Sequence, residues 1–332
     1  MIQERHYSQI NDQLEEQSKV VIGVGCSFVA GMGAWDSKIF ENYNVTVDTS
    51  KGNRCVVEDP IENKKMQKEY GLSIVFDDID VSVMELRNSF VYQLAEKLDY
   101  TPINCGMSGN GNRSSISQLY LHNKINWDAI TGGVLVYCPS GMERFDFAND
   151  QGIDNGFSHI GIWPNPNSVK VASHEGLGYQ YGSVIYSDKF CVIEQLTYVQ
   201  QLVNFCKLKN LKLIITPGFD ERYNKKYFKD VLSTSVQRDH KGIRVYSDQR
   251  APERIISLAE SFPWDNMFKP QGCNTFIDLC LKQEGLSPTK SMSYFPDYLH
   301  KGSPNYWVSP CAHPTKKSHT LFAEELEKCL SL

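Results

Sequence analysis

The sequence predicts an α/β protein in which a parallel sheet is covered by helices on both faces. Short apolar runs alternate with longer amphipathic segments, giving strands over 20–25, 102–105, 133–138 and 211–216 and helices over 88–98, 113–123 and 190–208. Strands that alternate with helices favour parallel pairing, because each helix returns the chain to the same end of the sheet. The run 211–216 is almost continuously apolar, which is typical of a strand buried on both faces.

Three segments interrupt this pattern in what we interpret as one domain spanning residues 1–332. They cover about 34–86, 145–189 and 219–272, and they are rich in charged residues or in Gly, Asn and aromatic residues. Insertions that follow the carboxyl ends of strands form the rim of a pocket, so these segments are expected to determine the substrate. The alternatives, ordinary long loops or contacts to a protein partner in an assembly, remain open.

The composition argues against several functional classes. The formal net charge is −5 over 332 residues, which is unfavourable for a general binder of nucleic acid or anionic membranes. No apolar run approaches the roughly 20 residues that span a bilayer, and the first residues lack signal-peptide character. We therefore expect a cytoplasmic protein.

The cysteines indicate a reducing environment. Ten are scattered along the chain without a Cys-x-x-Cys pair, and many lie inside apolar segments. This distribution is typical of buried, reduced thiols and not of a disulfide framework or a zinc site. We expect neither a metal nor an organic cofactor.

A candidate nucleophile follows the first predicted strand. The chain runs from that strand into Gly25, Cys26 and Ser27, with Gly31 shortly after. A serine at this place has its hydroxyl at the carboxyl edge of the sheet, beside backbone N–H groups that a following helix leaves unused. Two alternatives exist: Ser27 could be only the N-cap of a helix, or the thiol of Cys26 could be the nucleophile.

A candidate base lies near the other end of the chain. His313 precedes an amphipathic helix, and Pro314 stiffens the backbone after it. An unperturbed histidine titrates near neutral pH, so it can take a proton from a serine hydroxyl and return it to a leaving group. Ser27 and His313 are therefore expected to lie within direct or one-water hydrogen-bond reach.

Taken together, these segments resemble the SGNH (GDSL-like) hydrolase superfamily. Gly25-Cys26-Ser27-Phe28 with Gly31 resembles its first block, Gly-Asp-Ser-x-x-x-Gly; residues 104–109 resemble the second; and His313-Pro314 with the following helix resembles the last. The resemblance implies a three-layer α/β/α, flavodoxin-like fold and ester hydrolysis. It also implies that Ser27 is the nucleophile, that His313 is the base, and that the N–H groups of Ser27 and Gly109 hold the oxyanion.

The first and third blocks depart from the family pattern. Cys26 replaces the aspartate of Gly-Asp-Ser, which in the family is mainly a structural residue. Glu143 stands where the third block has an asparagine, and an ionised carboxylate cannot donate a hydrogen bond to an oxyanion. Asn112 or Asn110 could supply an amide donor from another direction.

The last block also departs from the pattern. Pro310 occupies the position of the aspartate that precedes the family histidine by three residues. In one assignment, His313 is oriented by a backbone carbonyl or by a carboxylate from elsewhere in the chain. In the other, Asp297 and His300, which form a literal Asp-x-x-His, are the catalytic dyad.

Three functional hypotheses follow. The favoured one is a serine esterase acting on a small-molecule or glycan ester, such as an O-acetyl group, as in divergent SGNH-like proteins encoded by tailed bacteriophages. The second is a catalytically degenerate member of the same fold with a structural or binding role, for example in a phage particle. The third treats residues 106–111 as a phosphate loop of a nucleotide-binding protein, but the Gly-Lys-Ser/Thr sequence is missing.

Overall fold

The elements of the fold are described here from a computed structural model. It describes residues 14, 18–48, 54–70, 84–106, 111–121, 125–142, 144–148, 157–160, 187–233, 236–238, 244–246, 257, 259–286 and 298–331. The strands are β1 Ser18–Gly25, β2 Val45–Asp48, β3 Arg54–Val57, β4 Thr101–Asn104, β5 Ile130–Cys138, β6 Phe145–Ala148, β7 Phe157–Ile160, β8 Leu211–Ile215, β9 Val236–Arg238 and β10 Arg244–Tyr246. The helices are α1 Ser27–Ala30, α2 Ser37–Asn42, α3 Pro60–Glu69, α4 Phe90–Leu98, α5 Asn112–Leu121, α6 Asp188–Leu208, α7 Lys225–Ser233, α8 Phe276–Gln283 and α9 Lys316–Leu330.

The central sheet has four parallel strands in the order β4-β1-β5-β8. Val21 of β1 pairs with Pro102 of β4 on one side and with Val134 of β5 on the other. The chain leaves β1 toward β4 and then crosses back to β5, so the direction of strand order reverses at β1. Ligands of open α/β sheets bind outside the carboxyl ends of the strands at such a reversal. The residues after Gly25 occupy this place.

Helices cover both faces of the sheet and make a three-layer α/β/α architecture, as the sequence predicts. One face carries apolar side chains of alternate β1 residues, including Val20 and Ile22, against α5, α6 and α7. The other face carries Val21 against α4, α8 and α9. The alternation along β1 follows the period-two geometry of a strand, in which successive side chains point to opposite faces.

The predicted strands and helices of the core are confirmed, with most boundaries shifted by one or two residues and one by three. Strand β5 begins at Ile130, three residues before the predicted start. Gly132 and Gly133 lie in this part of the strand, and glycine is unfavourable in strands, so the sequence does not indicate the earlier start. Gly133 has a φ of +126°, and a Cβ there would lie 2.0 Å from the carbonyl oxygen of Val20. The close approach of β1 therefore requires glycine at a strand position where glycine is otherwise unfavourable.

The predicted insertions contain regular structure that the sequence pattern does not show. The antiparallel pairs β2–β3, β6–β7 and β9–β10 lie within them, as do α2, α3 and α7. Strands of three or four residues are too short to display a clear period, so their pairing depends on the partner strand and not on the local pattern.

The insertion at 34–86 forms an apolar cluster that also includes a residue near the end of the chain. This cluster includes Trp35, Phe40 and Cys55, and Cys311 from the histidine loop belongs to it. The rings of Trp35 and Phe40 stack with centroids 6.0 Å apart. The first insertion is therefore packed against the segment that carries His313. Within the described residues, no helix has the length and apolarity to span a membrane.

Candidate active site

Ser27 is the first residue of helix α1, directly after the central strand. Cys26 is the N-cap residue, with φ −92° and ψ −151°, and its side chain makes no capping hydrogen bond. The interpretation of Ser27 as an N-cap is therefore wrong. Within the described residues, the backbone N–H of Ser27 donates no hydrogen bond, as expected for the first turn of a helix.

The short helix α1 is held against the end of β4 by Asn104. Its side-chain amide donates to the carbonyl oxygen of Val29 at 2.7 Å, and its carbonyl oxygen accepts from the N–H of Gly106 at 2.9 Å. A Cβ on Gly106 would lie 2.3 Å from the nitrogen of Ala30. Glycine at this position lets the segment after β4 pack directly on the helix that presents Ser27.

A tight loop presents His313. Val308 forms an antiparallel bridge with Pro314, and the N–H of Ser309 donates to the carbonyl oxygen of His313 at 2.8 Å. Between them Ala312 adopts a left-handed conformation with φ +60°. Such a conformation costs a non-glycine residue roughly 1–2 kcal/mol. The left-handed turn at Ala312 directs the carbonyl group of Cys311 toward the imidazole ring of His313.

The serine and the histidine are hydrogen bonded. The distance from His313 Nε2 to Ser27 Oγ is 2.8 Å, and His313 Nδ1 lies 2.7 Å from the carbonyl oxygen of Cys311. A carbonyl oxygen can only accept, so Nδ1 carries the proton and the neutral ring accepts the Ser27 hydroxyl proton at Nε2. The expected proximity of the two residues is confirmed, and the orienting group is a backbone carbonyl.

The pair is buried, although it lies at an edge of the sheet. Ser27 is 4% exposed and His313 is 9% exposed. The physical reason is the packing of the histidine loop and the ring of Phe28 around them. The ring of Phe28 lies 5.4 Å from that of His313 between centroids.

The surroundings of His313 favour its protonated form. Burial lowers the pKa of this histidine, but the charge and hydrogen bonds of Cys311 and the charge of Glu85 raise it by more, so the pKa lies above its ordinary value. Burial likewise opposes ionisation of Cys311, while hydrogen bonding to Cys55 and the charge of His313 lower the pKa of that thiol. An imidazolium formed at His313 is therefore stabilised by its neighbours.

The thiols near the site are not accessible to a substrate. Cys26 and Cys311 are both fully buried, and Cys311 lies 3.1 Å from the hydroxyl of Ser309. All ten cysteines are free. The imidazole of His313 is hydrogen bonded to Ser27 Oγ and not to the thiol of Cys26, so the structure argues against the alternative in which Cys26 attacks.

The hydrogen bond of Ser27 goes to His313 and not to the alternative base His300, and one oxyanion candidate is engaged elsewhere. His300 is exposed, and only its backbone N–H is held, by the carbonyl oxygen of Pro310. The amide of Asn112 donates both to Ser140 O, at 3.2 Å, and to the hydroxyl of Tyr223, at 3.0 Å. Both amide protons of Asn112 are thus used inside the fold. Gly109, Asn110, Glu143 and Asp297 lie outside the described residues.

Residues after β8, which lies beyond β5 in the sheet, contact the ring next to Ser27. The ring of Phe219 lies 5.6 Å from that of Phe28, and the guanidinium of Arg144 lies 5.8 Å from the ring of Phe219. These contacts place the turn after β8 at the same edge of the sheet as Ser27. Asp220, next in the chain, is buried and binds Arg222 through both carboxylate oxygens.

Sequence reasoning missed Glu85 and Ser309, and it named a backbone carbonyl as the orienting group without identifying it as that of Cys311. Glu85 is buried, although it lies at the end of a polar insertion. The contacts of these residues depend on segments far apart in the chain, so no local pattern marks them. The sequence offers one signal, the unusual density of Ser, Cys and Pro around His313. Among the described residues, no three His, Cys, Asp or Glu side chains form a metal-binding group.

No protein-family model matches the chain, and no curated protein matches it significantly.

Proposed function

We propose that this protein is a serine ester hydrolase in which Ser27 attacks an ester carbonyl and His313 acts as general base. The observation that carries the proposal is the hydrogen-bonded chain from Ser27 Oγ through the imidazole to the carbonyl oxygen of Cys311. A nucleophile, a base and a group that orients the base are the minimal parts of such a site.

The reaction proceeds in two steps. Ser27 Oγ bonds to the ester carbon while its proton moves to His313 Nε2, and the imidazolium then gives that proton to the leaving alcohol. Water hydrolyses the acyl-enzyme by the same route and restores the serine. The Ser27 N–H, which donates to no other group within the described residues, can hold the oxyanion. Gly109 is the second donor implied by the family resemblance.

The burial of the pair favours a small acyl group. Because Ser27 is only 4% exposed, an acetyl group fits this position better than a long acyl chain. Aromatic and polar residues of the insertions suit a sugar or another polar alcohol as the remainder of the ester. We therefore propose an O-acetyl ester, including that of a glycan, as the substrate class.

The test compares Ser27→Ala and His313→Ala with the wild type. We expect the wild type to hydrolyse p-nitrophenyl acetate and to be labelled by a fluorophosphonate probe. Each variant should lose roughly three to six orders of magnitude in rate, since nucleophile and base act as a unit. Ser117→Ala, on the partly exposed surface of α5, is the matched control and should retain full activity.

A structural role on the same fold is the second candidate. The observation in its favour is Asn112, whose amide is committed to Ser140 and Tyr223 and does not serve an oxyanion. If wild type and Ser27→Ala are equally inert toward acetyl esters and the probe, the esterase proposal fails. The chain would then be best explained as a binding or assembly protein.

A further inference from the structure

The loop that carries His313, residues 298–315, has an unfavourable backbone at three non-glycine positions. His300, Tyr306 and Ala312 have left-handed φ values of +73°, +52° and +60°. Residues with a side chain avoid this region, and they remain in it only where the surrounding structure holds them there. The contacts that hold this loop therefore decide where His313 lies.

The carboxylate of Glu284 binds four donors from the first half of this loop. Its Oε1 accepts from the hydroxyl of Ser303 and from the N–H of Trp307, the latter at 3.1 Å. Its Oε2 accepts from the backbone N–H and the side-chain amide of Asn305 at 3.1 and 2.8 Å. A carboxylate, with two oxygens that only accept, suits a site in which every partner is a donor.

Two hydrogen bonds connect this carboxylate to the segment paired with His313. Ser303, held by Glu284, donates its backbone N–H to the carbonyl oxygen of Val308 at 2.8 Å, and its hydroxyl accepts from the N–H of Val308 at 2.9 Å. Val308 forms the antiparallel bridge with Pro314, the residue that follows His313. Glu284 thus fixes one side of the bridge that closes the tight turn around the histidine.

The helix that ends at Glu284 also reaches the serine. Helix α8 begins at Phe276, whose ring lies 6.2 Å from that of Phe28, the residue after Ser27. The N–H of Phe276 donates to the carbonyl oxygen of Pro217, in the turn after β8. The first six residues of α8 are buried, so this helix is a rigid spacer between the serine and the loop that Glu284 holds.

We propose that Glu284 is a positioning residue for His313, which fixes the loop of residues 298–315 to the end of α8 and so holds the imidazole within hydrogen-bond distance of Ser27. It acts through the backbone of the loop and not through its charge on the ring. This inference rests on the proposed esterase function, because the rate of that reaction depends on the distance between the two side chains.

The experiment compares Glu284→Gln with the wild type. Glutamine keeps the length of the side chain but replaces one oxygen by an amide group, which must face a donor of the loop without an acceptor. The loop should therefore shift, and a displacement of about 1 Å lowers the rate roughly a hundredfold. With p-nitrophenyl acetate as substrate, kcat should fall about 10- to 100-fold with little change in KM, measured at temperatures where circular dichroism shows each variant fully folded.

Two further variants make the result specific to the carboxylate. Gly285→Ala weakens the same helix end, because Gly285 has a φ of +73°, but an added Cβ there would meet no atom within 4 Å. It should lower the urea midpoint and retain wild-type kcat. Glu284→Asp keeps two accepting oxygens and should retain more of the wild-type kcat than Glu284→Gln. Equal kcat in wild type and Glu284→Gln, or equal losses in Gly285→Ala and Glu284→Gln, would overturn the inference.

The outcomes distinguish this inference from the proposed function. A wild type inert toward acetyl esters and the fluorophosphonate probe refutes the esterase and, with it, the role of Glu284. An active wild type whose kcat is unchanged in Glu284→Gln refutes only the positioning role. If Glu284→Gln does not fold, Asn305→Ala decides. Asn305 is exposed and loses only its side-chain hydrogen bond to Glu284, so kcat should fall roughly threefold, and an unchanged kcat contradicts the inference.

Discussion

Replacing Gly33 by Ala tests whether the first insertion sets the position of His313. Gly33 has a φ of +77°, and its missing side chain leaves room for Ser309, Cys311 and His313. The added methyl group would overlap all three residues of the loop. Because the loop is buried and tightly hydrogen bonded, the overlap must be relieved by moving it.

The expected magnitude has two parts. The left-handed backbone costs alanine roughly 1–2 kcal/mol relative to glycine, and overpacking of a buried site adds typically 1–3 kcal/mol. Gly272→Ala isolates the first part, since Gly272 has a φ of +79° and an added Cβ there would meet no atom within 4 Å. The free energy of unfolding should therefore fall by about 2–5 kcal/mol in Gly33→Ala and by about 1–2 kcal/mol in Gly272→Ala.

Urea unfolding and acetyl-ester hydrolysis measure the two consequences. A displacement of the imidazole by about 1 Å is enough to lower the rate roughly a hundredfold. Gly33→Ala should show that loss at temperatures where it remains folded, while Gly272→Ala should retain wild-type turnover. Equal unfolding free energies for the two variants, or full activity in Gly33→Ala, would refute the argument that this turn supports His313.

Two further predictions concern residues outside the reacting pair. Burial and the charge of His313 lower the pKa of His319 to about 3. In the unfolded chain this histidine titrates near pH 6.5, so below pH 6.5 the unfolded state binds one more proton than the folded state. The free energy of unfolding therefore falls as the pH falls below 6.5. Between about pH 7 and about pH 4.5 the unfolding free energy of the wild type, measured in urea, should fall by roughly 2–3 kcal/mol more than that of His319→Gln. His300→Gln is the control at an exposed histidine and should behave like the wild type. Equal losses in wild type and His319→Gln would contradict a neutral His319. Asn104→Ala should lower the unfolding free energy by about 3 kcal/mol, because it leaves the carbonyl of Val29 and the N–H of Gly106 without the Asn104 side chain. The same variant should reduce esterase activity, because α1 is no longer held against β4. A loss of unfolding free energy below about 1 kcal/mol would show that other groups replace these hydrogen bonds.

Much of the architecture follows from local pattern. The apolar run ending at Gly25 and the run after Leu211 can be recognised as buried strands because burial on both faces requires continuous apolar residues. The helix after His313 shows helical spacing of its apolar residues, and it packs through Phe322 and Leu326. These features depend on residues within one element, which is why the sequence reveals them.

Ser27 and His313 can be proposed as partners from their places in the chain. A serine after the first strand and a histidine before the last helix both belong at the carboxyl edge of a parallel sheet, since that edge is fixed by the order of strands and helices. The hydrogen bond of 2.8 Å agrees with this placement. The sequence by itself thus determined the layers of the fold and the two ends of the chain that meet.

The tertiary structure alone decided how the histidine is oriented and charged. The choice between His313 and His300 depends on which one reaches Ser27, and the use of the Cys311 carbonyl depends on the left-handed turn at Ala312. Glu85 enters through contacts between segments about 50 residues apart. Hydrogen bonds and buried charges act through space over a few ångströms, and no periodicity in the sequence records which distant segments the packing brings within that range.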